Sequence, residues 1–312
     1  MSAPPPTSRR NGFALPLVIW GLGIIALLIV SFMTTARWRV QAAYNIYGAA
    51  KADLLADSAV NIGLLRLLAE NNSPPTAQQS AIHDGRPKFC SLSGAAVAIA
   101  IEDEGGKVDL NSASSNLLRA LFAGFGVEQR KAEALADAVV AYRVDPGDAL
   151  RHTPVGLFAR KPASFHTALE LDQVPGVEAQ LFRMLTPFVT VHSHQPGLYA
   201  QAAPPALFAA LAGFDAADVA ALTRAAFSID INRDDPHFPS EFKRGAASGA
   251  FLVHAEAVLP SGQTGVSEAI FDMRANGAAG YALRETRRGT ARNLRDLRLL
   301  IRQGSTELQE CL

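Results

Sequence analysis

A run of 21 residues without a charged side chain, residues 13–33, lies close to the amino terminus and constrains the fold more than any other feature. At about 1.5 Å per residue, a helix of this length spans about 31 Å, the thickness of the hydrocarbon core of a bilayer. A secretory signal peptide has a shorter apolar region of about 7 to 15 residues, followed by a small-residue cleavage site. The run therefore predicts a transmembrane helix over residues 13–36 and not a removable signal peptide.

Basic residues stand on both sides of this run. Arg9 and Arg10 precede it and favour a cytoplasmic amino terminus, whereas Arg37 and Arg39 follow it and weaken the asymmetry. We expect a single-pass protein whose remaining chain lies on the far side of the membrane.

The composition describes a folded chain, with 49% hydrophobic and 19% charged residues. The 29 Lys and Arg balance the 29 Asp and Glu, so no global charge attracts the chain to nucleic acid or to anionic lipid. The two cysteines, Cys90 and Cys311, lack the paired spacing of a zinc site. They form a disulfide only if this part of the chain lies outside the cytosol, and buried free thiols are the alternative.

No loop signal interrupts the chain between Thr34 and Glu70, so we expect the transmembrane helix to continue. Apolar residues recur there at steps of three and four. The first stripe contains Val40, Ala43, Tyr47, Ala50 and Leu54, and a neighbouring stripe contains Leu55, Ala59, Ile62, Leu65 and Leu68. The polar and proline-containing residues 71–75 end the pattern. The sequence predicts one helix of about 87 Å, half in lipid and half packed on a soluble domain.

The residues directly before the apolar run are Arg9-Arg10-Asn11-Gly12-Phe13. This arrangement resembles a type IV prepilin leader. The resemblance implies that a membrane aspartyl peptidase cleaves between Gly12 and Phe13 and that the new N-terminal Phe13 is methylated. Family members usually carry Glu at the fifth mature position, where this chain has Leu17. A carboxylate in lipid is costly unless it is paired, and in the family this Glu can pair with the amino group of a neighbouring subunit. Leu17 therefore suggests a subunit that does not need to pair beneath another one.

A predicted strand over residues 96–101 leads into Glu102-Asp103-Glu104-Gly105-Gly106-Lys107-Val108-Asp109-Leu110-Asn111. This string resembles the signature of the general secretion pathway protein K family, the minor pseudopilins of type II secretion. The acidic triplet could form a catalytic or metal cluster. We favour a tight hairpin at Gly105-Gly106 with solvated carboxylates beside it.

The resemblance implies an α+β fold: a type IV pilin-like long N-terminal helix packed on an antiparallel sheet, with a large inserted all-helical domain containing helix-hairpin-helix units. The expected parts are a leader over residues 1–12, a transmembrane segment over 13–36, the second half of the helix and the first strands over 37–111, the inserted domain over 112–228, a C-terminal sheet over 229–286 and a basic tail over 287–312.

The family's function follows from the same resemblance. It implies a protein that is not an enzyme, anchored in the inner membrane with its C-terminal domain in the periplasm. Such a subunit lies at the tip of a short pseudopilus that exports folded proteins through the outer-membrane secretin. The implied partners are the I- and J-type minor pseudopilins, the major pseudopilin, the prepilin peptidase and the inner-membrane assembly platform.

Three helix-hairpin-helix units are predicted in the middle of the chain. The first covers residues 115–142 and the second covers 169–185, each with glycine at the hairpin. The third begins at residues 206–214, which echo residues 117–125. Units of this kind often bind DNA phosphates through backbone N–H groups, so the alternative function is a membrane-anchored DNA-binding protein of an uptake apparatus. Residues 110–188 contain eight bases and eight acids, which argues against nucleic acid as a partner.

The last third of the chain returns to strands. Two alternating sets of side chains in residues 250–259 predict a strand, and residues 266–273 run back after a turn at Pro260-Ser261-Gly262. Asn276-Gly277 marks another turn, so we expect an antiparallel meander. In the arginine-rich tail, apolar residues recur at helical spacing. This pattern favours a solvated helix that docks on its own domain over a surface that binds a partner.

No nucleophile or general-base constellation emerges. The best metal candidate is Asp230-x-Asn232-x-Asp234, whose alternating oxygen ligands could bind calcium, although Asp235 replaces the glycine of an EF-hand loop. An ordinary polar turn is favoured over a calcium site, and no other cofactor is expected.

Overall fold

The computed structural model describes residues 14–71, 82–143, 164–225, 231–245, 247–275, 280–302 and 308–311. By its internal contacts, the chain divides into two units, residues 1–50 and 51–312. One α-helix, α1 (Ala14–Asn71), begins in the first unit and ends in the second. The predicted single long helix is therefore confirmed, and it ends one residue beyond the predicted end.

The described part of the first unit is helical. Its large apolar side chains are exposed, from 43% for Ile24 to 76% for Trp38. The most apolar window of α1 has a mean hydropathy of 2.5, and none of that window is buried. Among the helices that the structure describes, α1 alone is long and apolar enough to cross a membrane.

The second unit is built on a five-stranded antiparallel sheet with the order β1-β2-β5-β6-β7. Its strands are β1 (Lys88–Leu92), β2 (Ala95–Asp103), β5 (Ala250–Val258), β6 (Thr264–Asp272) and β7 (Ala282–Arg287). A separate parallel pair consists of β3 (Val108–Asp109) and β4 (Val189–Thr190). The predicted C-terminal meander is confirmed as β5, β6 and β7, while Asn276-Gly277 lies outside the described residues.

One face of the sheet packs on the second half of α1. Small residues permit the close approach, since Ala52, Ala56 and Ala59 are fully buried at one helical face. A Cβ atom at Gly63 would lie 2.5 Å from Cγ1 of Val253 on β5. The second predicted stripe supplies part of this face, since Leu55, Ala59 and Ile62 are buried, whereas Leu54 of the first stripe is 66% exposed.

The opposite face of the sheet is covered in part by α7 (Leu294–Arg302). Leu297 is fully buried against Ala96, Ala98 and Val258 of β2 and β5. The expectation that the tail forms a helix docked on its own domain is therefore met. Buried charged side chains, together with Ala100, Leu252 and Ile270, occupy much of the rest of this face.

A helical region lies between β3 and β5 in the chain. Its elements are α2 (Ser115–Gly124), α3 (Gln129–Arg143), a 3-10 segment (Ala168–Gln173), α4 (Ala179–Leu185), α5 (Pro205–Leu211) and α6 (Ala216–Ala225). They form three consecutive pairs at the positions where the sequence predicts helix-hairpin-helix units. Each hairpin has a glycine with positive φ, namely Gly126 at 87°, Gly176 at 88° and Gly213 at 79°.

This helical region has its own hydrophobic core. Gly124 of α2 brings the first and third pairs together, since a Cβ atom there would lie 2.5 Å from the carbonyl oxygen of Ala210. The core also includes Phe238 and Phe242, which follow residue 228, where we expect the inserted domain to end. The observed architecture is α+β, with a long helix packed on an antiparallel sheet and helices inserted between its strands, as predicted.

Candidate functional sites

The signature segment after β2 does not form the predicted hairpin. Residues Glu104–Gly106 make a 3-10 turn capped by the Asp103 carboxylate, which accepts from the backbone N–H of Gly105 at 2.7 Å. The chain then continues into β3, which pairs with β4. The predicted solvated carboxylates are also wrong, because Glu102, Asp103 and Glu104 are each 2–3% exposed. Neutralisation by buried cations makes this burial possible.

Lys107 supplies the first of these cations. Its Nζ atom lies 2.7 Å from a carboxylate oxygen of Glu102 and 2.7 Å from one of Glu104. Burial alone raises the pKa of Glu102, but the charges of Arg292 and Lys107 outweigh it and lower the pKa to about 2. Burial lowers the pKa of Lys107, and the two carboxylates more than reverse this and raise it. The segment thus contains a charged and paired lysine.

A second group of charges lies beside the first on the same sheet face. His254 of β5 is fully buried, with Nε2 2.8 Å from Glu256 and Nδ1 2.8 Å from Glu268. Arg292 joins the two groups, since its guanidinium contacts both Glu102 and Glu268. Arg287 of β7 lies 2.7 Å from the other oxygen of Glu268.

We call these eight side chains the charge cluster: Glu102, Glu104, Lys107, His254, Glu256, Glu268, Arg287 and Arg292. It contains four carboxylates, three permanent cations and one histidine, so it is electrically neutral when His254 is protonated. Burial lowers the pKa of His254, and its hydrogen bonds to Glu256 and Glu268 outweigh burial and raise it. The cluster ties β2, β5 and β6 to the segment that leads into α7, which indicates a structural function.

Close backbone contacts explain the two glycines of the signature segment. A Cβ atom at Gly106 would overlap the carbonyl group of Ala202, and one at Gly105 would lie 3.0 Å from the backbone nitrogen of Ser248. The backbone oxygen of Gly105 accepts from the N–H of Tyr199 at 2.7 Å. The segment is therefore the point where the helical region meets the sheet, and the hairpin interpretation missed it because it considered only local turn chemistry.

Cys90 and Cys311 form a disulfide in the structure, with sulfur atoms 2.08 Å apart. The bond joins β1 to the last described residues of the tail. Two backbone hydrogen bonds accompany it, from Cys311 to the oxygen of Ser91 at 3.1 Å and from Ser91 to the oxygen of Gln309 at 3.0 Å. The tail is thereby fixed to the edge strand of the sheet.

The described members of the calcium candidate are engaged in local hydrogen bonds. Asn232 Oδ1 accepts from the backbone N–H of Asp234 at 3.1 Å, and Asp234 Oδ1 accepts from the side chain of Gln201 at 2.9 Å. Asp230 lies outside the described residues. Within the part of the chain that the structure describes, no group of three or more His, Cys, Asp or Glu residues could hold a metal ion. The calcium site at Asp230, Asn232 and Asp234 stays a prediction, and no function is derived from it.

The processing site, Gly12 and Phe13, also lies outside the described residues, so cleavage and methylation stay predictions. Leu17 belongs to α1 and is 60% exposed.

Most of the basic side chains described in residues 110–188 have partners within the chain. Lys131 pairs with Glu178 at 2.6 Å and Arg119 with Glu133 at 3.7 Å. Arg143 donates to the carbonyl oxygens of Leu110 and Ala113 at 3.0 and 2.8 Å. These contacts engage the described basic groups within the protein, so they do not favour the DNA-binding alternative.

No family model matches the chain, and no curated protein matches it. Among solved structures, the chain is similar to a chain described as "The Crystal Structure of the GspK-GspI-GspJ complex from enterotoxigenic Escherichia coli Type 2 Secretion System". The sequence identity is 17% and the TM-score is 0.47. The match covers 82% of this chain and 100% of that chain.

Proposed function

We propose that this protein is a minor pseudopilin at the tip of a type II secretion pseudopilus, where it helps to start pseudopilus assembly and has no enzymatic activity. The observation that carries the proposal is α1 itself. Its first part exposes an apolar surface suited to lipid, and its second part is buried against an antiparallel sheet. A helix of this kind anchors a subunit and also serves as the stem along which pilin-like subunits stack.

The helical region between β3 and β5 supports the tip position. It is a bulky addition to a sheet domain, with a hydrophobic core of its own. A subunit stacked above would have to accommodate that bulk. An apolar Leu17 in place of the usual glutamate agrees with a subunit that has no successor above it.

The disulfide between Cys90 and Cys311 supports a periplasmic location for the second unit. Structural disulfides form in oxidising compartments such as the bacterial periplasm and are rare in the cytosol. With the amino terminus in the cytoplasm, a single pass through the inner membrane would deliver both cysteines to the periplasm.

The proposed direct partners are the I- and J-type minor pseudopilins, followed by the major pseudopilin below them. Processing by the prepilin peptidase and contact with the inner-membrane assembly platform belong to the same proposal. Nucleic acid is not a proposed partner.

The proposal is tested by expressing the full chain with and without its own I- and J-type subunits. We expect a stable complex of all three after detergent extraction, and no filaments by electron microscopy when the chain is expressed alone. The Leu17→Glu variant, expressed alone beside the wild type, should also form no filaments. Long homopolymers of either protein, or absence of the complex together with retardation of DNA at physiological salt, would contradict the proposal.

A further inference from the structure

The C-terminal helix α7 has two unlike faces. Leu294, Leu297 and Ile301 face the sheet and pack on β2 and β5. Five side chains of α7 are exposed, namely Arg295, Asp296, Arg298, Leu299 and Arg302. We call Arg295, Arg298, Leu299 and Arg302 the arginine stripe. Asp296, the acidic residue of α7, borders the stripe, so three arginines face one carboxylate on this surface.

The four arginines of residues 284–292, which precede α7, all have carboxylate partners. Arg284 pairs with Asp272 at 2.8 Å and Arg288 with Asp57 at 2.9 Å, while Arg287 and Arg292 belong to the charge cluster. The three arginines of the stripe differ, since they have no hydrogen-bond or ion-pair partner among the described residues. Three adjacent unpaired guanidinium groups repel one another, so a purely structural role for them is unfavourable.

The backbone of α7 is held on the sheet. Before α7, the backbone N–H groups of Arg292 and Asn293 donate to the buried Glu256 carboxylate at 2.6 and 2.8 Å. Within it, the buried Leu297 packs on β2 and β5. A helix held in this way loses little backbone entropy when a partner binds. The helix that carries the arginine stripe is therefore preorganised for recognition.

The spacing of the stripe defines the chemistry of its partner. Arg295, Arg298 and Arg302 stand at positions i, i+3 and i+7 and extend over about 10 Å along one helical face. Carboxylates at the same spacing on another helix would face them, and arginine pairs with carboxylates through two parallel hydrogen bonds. A membrane surface fits less well, because an interfacial helix inserts its apolar face, and that face of α7 is already buried on the sheet.

We propose that the arginine stripe is a docking site for an acidic helix of another protein, with Leu299 contacting an apolar residue between the carboxylates. Leu299 is 44% exposed in the middle of the stripe. The proposal does not depend on the proposed function, because it concerns only the chemistry of this surface.

The test uses the full chain in nanodiscs of neutral lipid and two synthetic helical peptides of identical composition. One peptide carries glutamates at i, i+3 and i+7 on one face, and the other distributes the same glutamates around the helix. We expect the first peptide to bind more tightly, and the Arg295→Gln, Arg298→Gln, Arg302→Gln triple variant to lose about tenfold in affinity for it. Arg288→Gln is the matched control, because this exposed arginine is already paired, and it should bind like the wild type.

Circular dichroism of the triple variant establishes that its fold is retained, and the single variant Arg298→Gln, expected to lose about two- to threefold, repeats the test with a smaller change. Equal binding of the two peptides, or equal affinity of wild type and triple variant, would overturn the proposal. Binding to anionic lipid vesicles or to duplex DNA in preference to the first peptide would overturn it as well.

Discussion

The Nε2 atom of His254 lies 2.8 Å from a carboxylate oxygen of Glu256, two residues further along the same strand. Its other ring nitrogen lies 2.8 Å from Glu268 on the neighbouring strand. Ionised carboxylates only accept hydrogen bonds, so both ring nitrogens must donate and the ring must carry a positive charge. The fold thus buries an imidazolium between two carboxylates.

This arrangement predicts a dependence of stability on pH. The pKa of His254 is raised in the folded state above its ordinary value of about 6.5. Its contribution to the free energy of unfolding is therefore fully present below about pH 6.5 and is lost as the pH rises through the folded-state pKa. Glu268 and Glu256, whose pKa values are lowered despite burial, act in the opposite direction and lose their contribution as the pH falls below about 4.5.

His254→Gln tests this pH dependence. We expect the variant to lose about 3–5 kcal/mol of stability near pH 6, because it removes the positive charge shared by two buried carboxylates, and to lack the decline on the alkaline side. Denaturant unfolding between pH 5 and 10 measures both effects. His237→Gln is the control, since the side chain of His237 is 78% exposed, and its curve should follow the wild type. An alkaline decline retained unchanged in His254→Gln would show that another group is responsible.

Lys107→Met should also destabilise the protein by about 3–5 kcal/mol, because it removes the cation from two buried carboxylates. Lys131→Met is the matched control. Lys131 pairs with Glu178 at the surface, where solvent screens an ion pair and its contribution to stability is small. The difference between the two variants in urea midpoint measures the effect of burial, and equal losses would contradict the structural function of the charge cluster.

The helices and strands could be predicted from the sequence, but the charge cluster could not. Hydrophobic periodicity and turn residues predicted α1, the three C-terminal strands and the paired helices, because each of these signals is local. The burial of Glu102 depends on Arg292, which is 190 residues away in the chain. No local pattern can indicate such a pairing, and an acidic segment viewed alone is expected to be solvated.

Two further signals could have corrected the interpretation of the signature segment. Lys107 stands three residues after Glu104, a spacing at which the two side chains can pair. Within β5, His254 and Glu256 alternate with apolar residues, and both faces of this strand are covered. The two polar side chains are therefore buried, and a buried polar side chain needs a hydrogen-bond partner. The face of α1 that packs on the sheet was predicted in part, since its small residues carry a weak apolar signal.

The Cys90–Cys311 disulfide predicts that the denatured, unreduced protein contains no free thiol. Removing the bond with Cys90→Ser and Cys311→Ser together should cost about 2–5 kcal/mol, because the bond closes a loop between residues 221 positions apart. Thiol titration and denaturant unfolding of protein isolated from the periplasmic side give the two measurements. Two free thiols in the wild type would exclude the bond.

Gly106→Ala should destabilise the protein by about 1–3 kcal/mol, because the added methyl group would overlap the carbonyl of Ala202. Gly245→Ala is the control, since no atom lies within 4 Å of a Cβ at that position. Thermal unfolding of the two variants compares them directly. An unchanged melting temperature in Gly106→Ala would show that the helical region does not rest on this segment.

The central claim is that the chain is a processed, pilin-like secretion subunit, and the intact mass of the mature protein tests it most directly. The full chain is expressed with and without a prepilin peptidase, and Gly12→Glu is the control that should remain a full-length precursor. We expect the peptidase to remove residues 1–12, so that the mature chain begins with a methylated Phe13. A wild-type chain that keeps its first twelve residues in the presence of an active peptidase, or one cut at any other bond, would contradict the account.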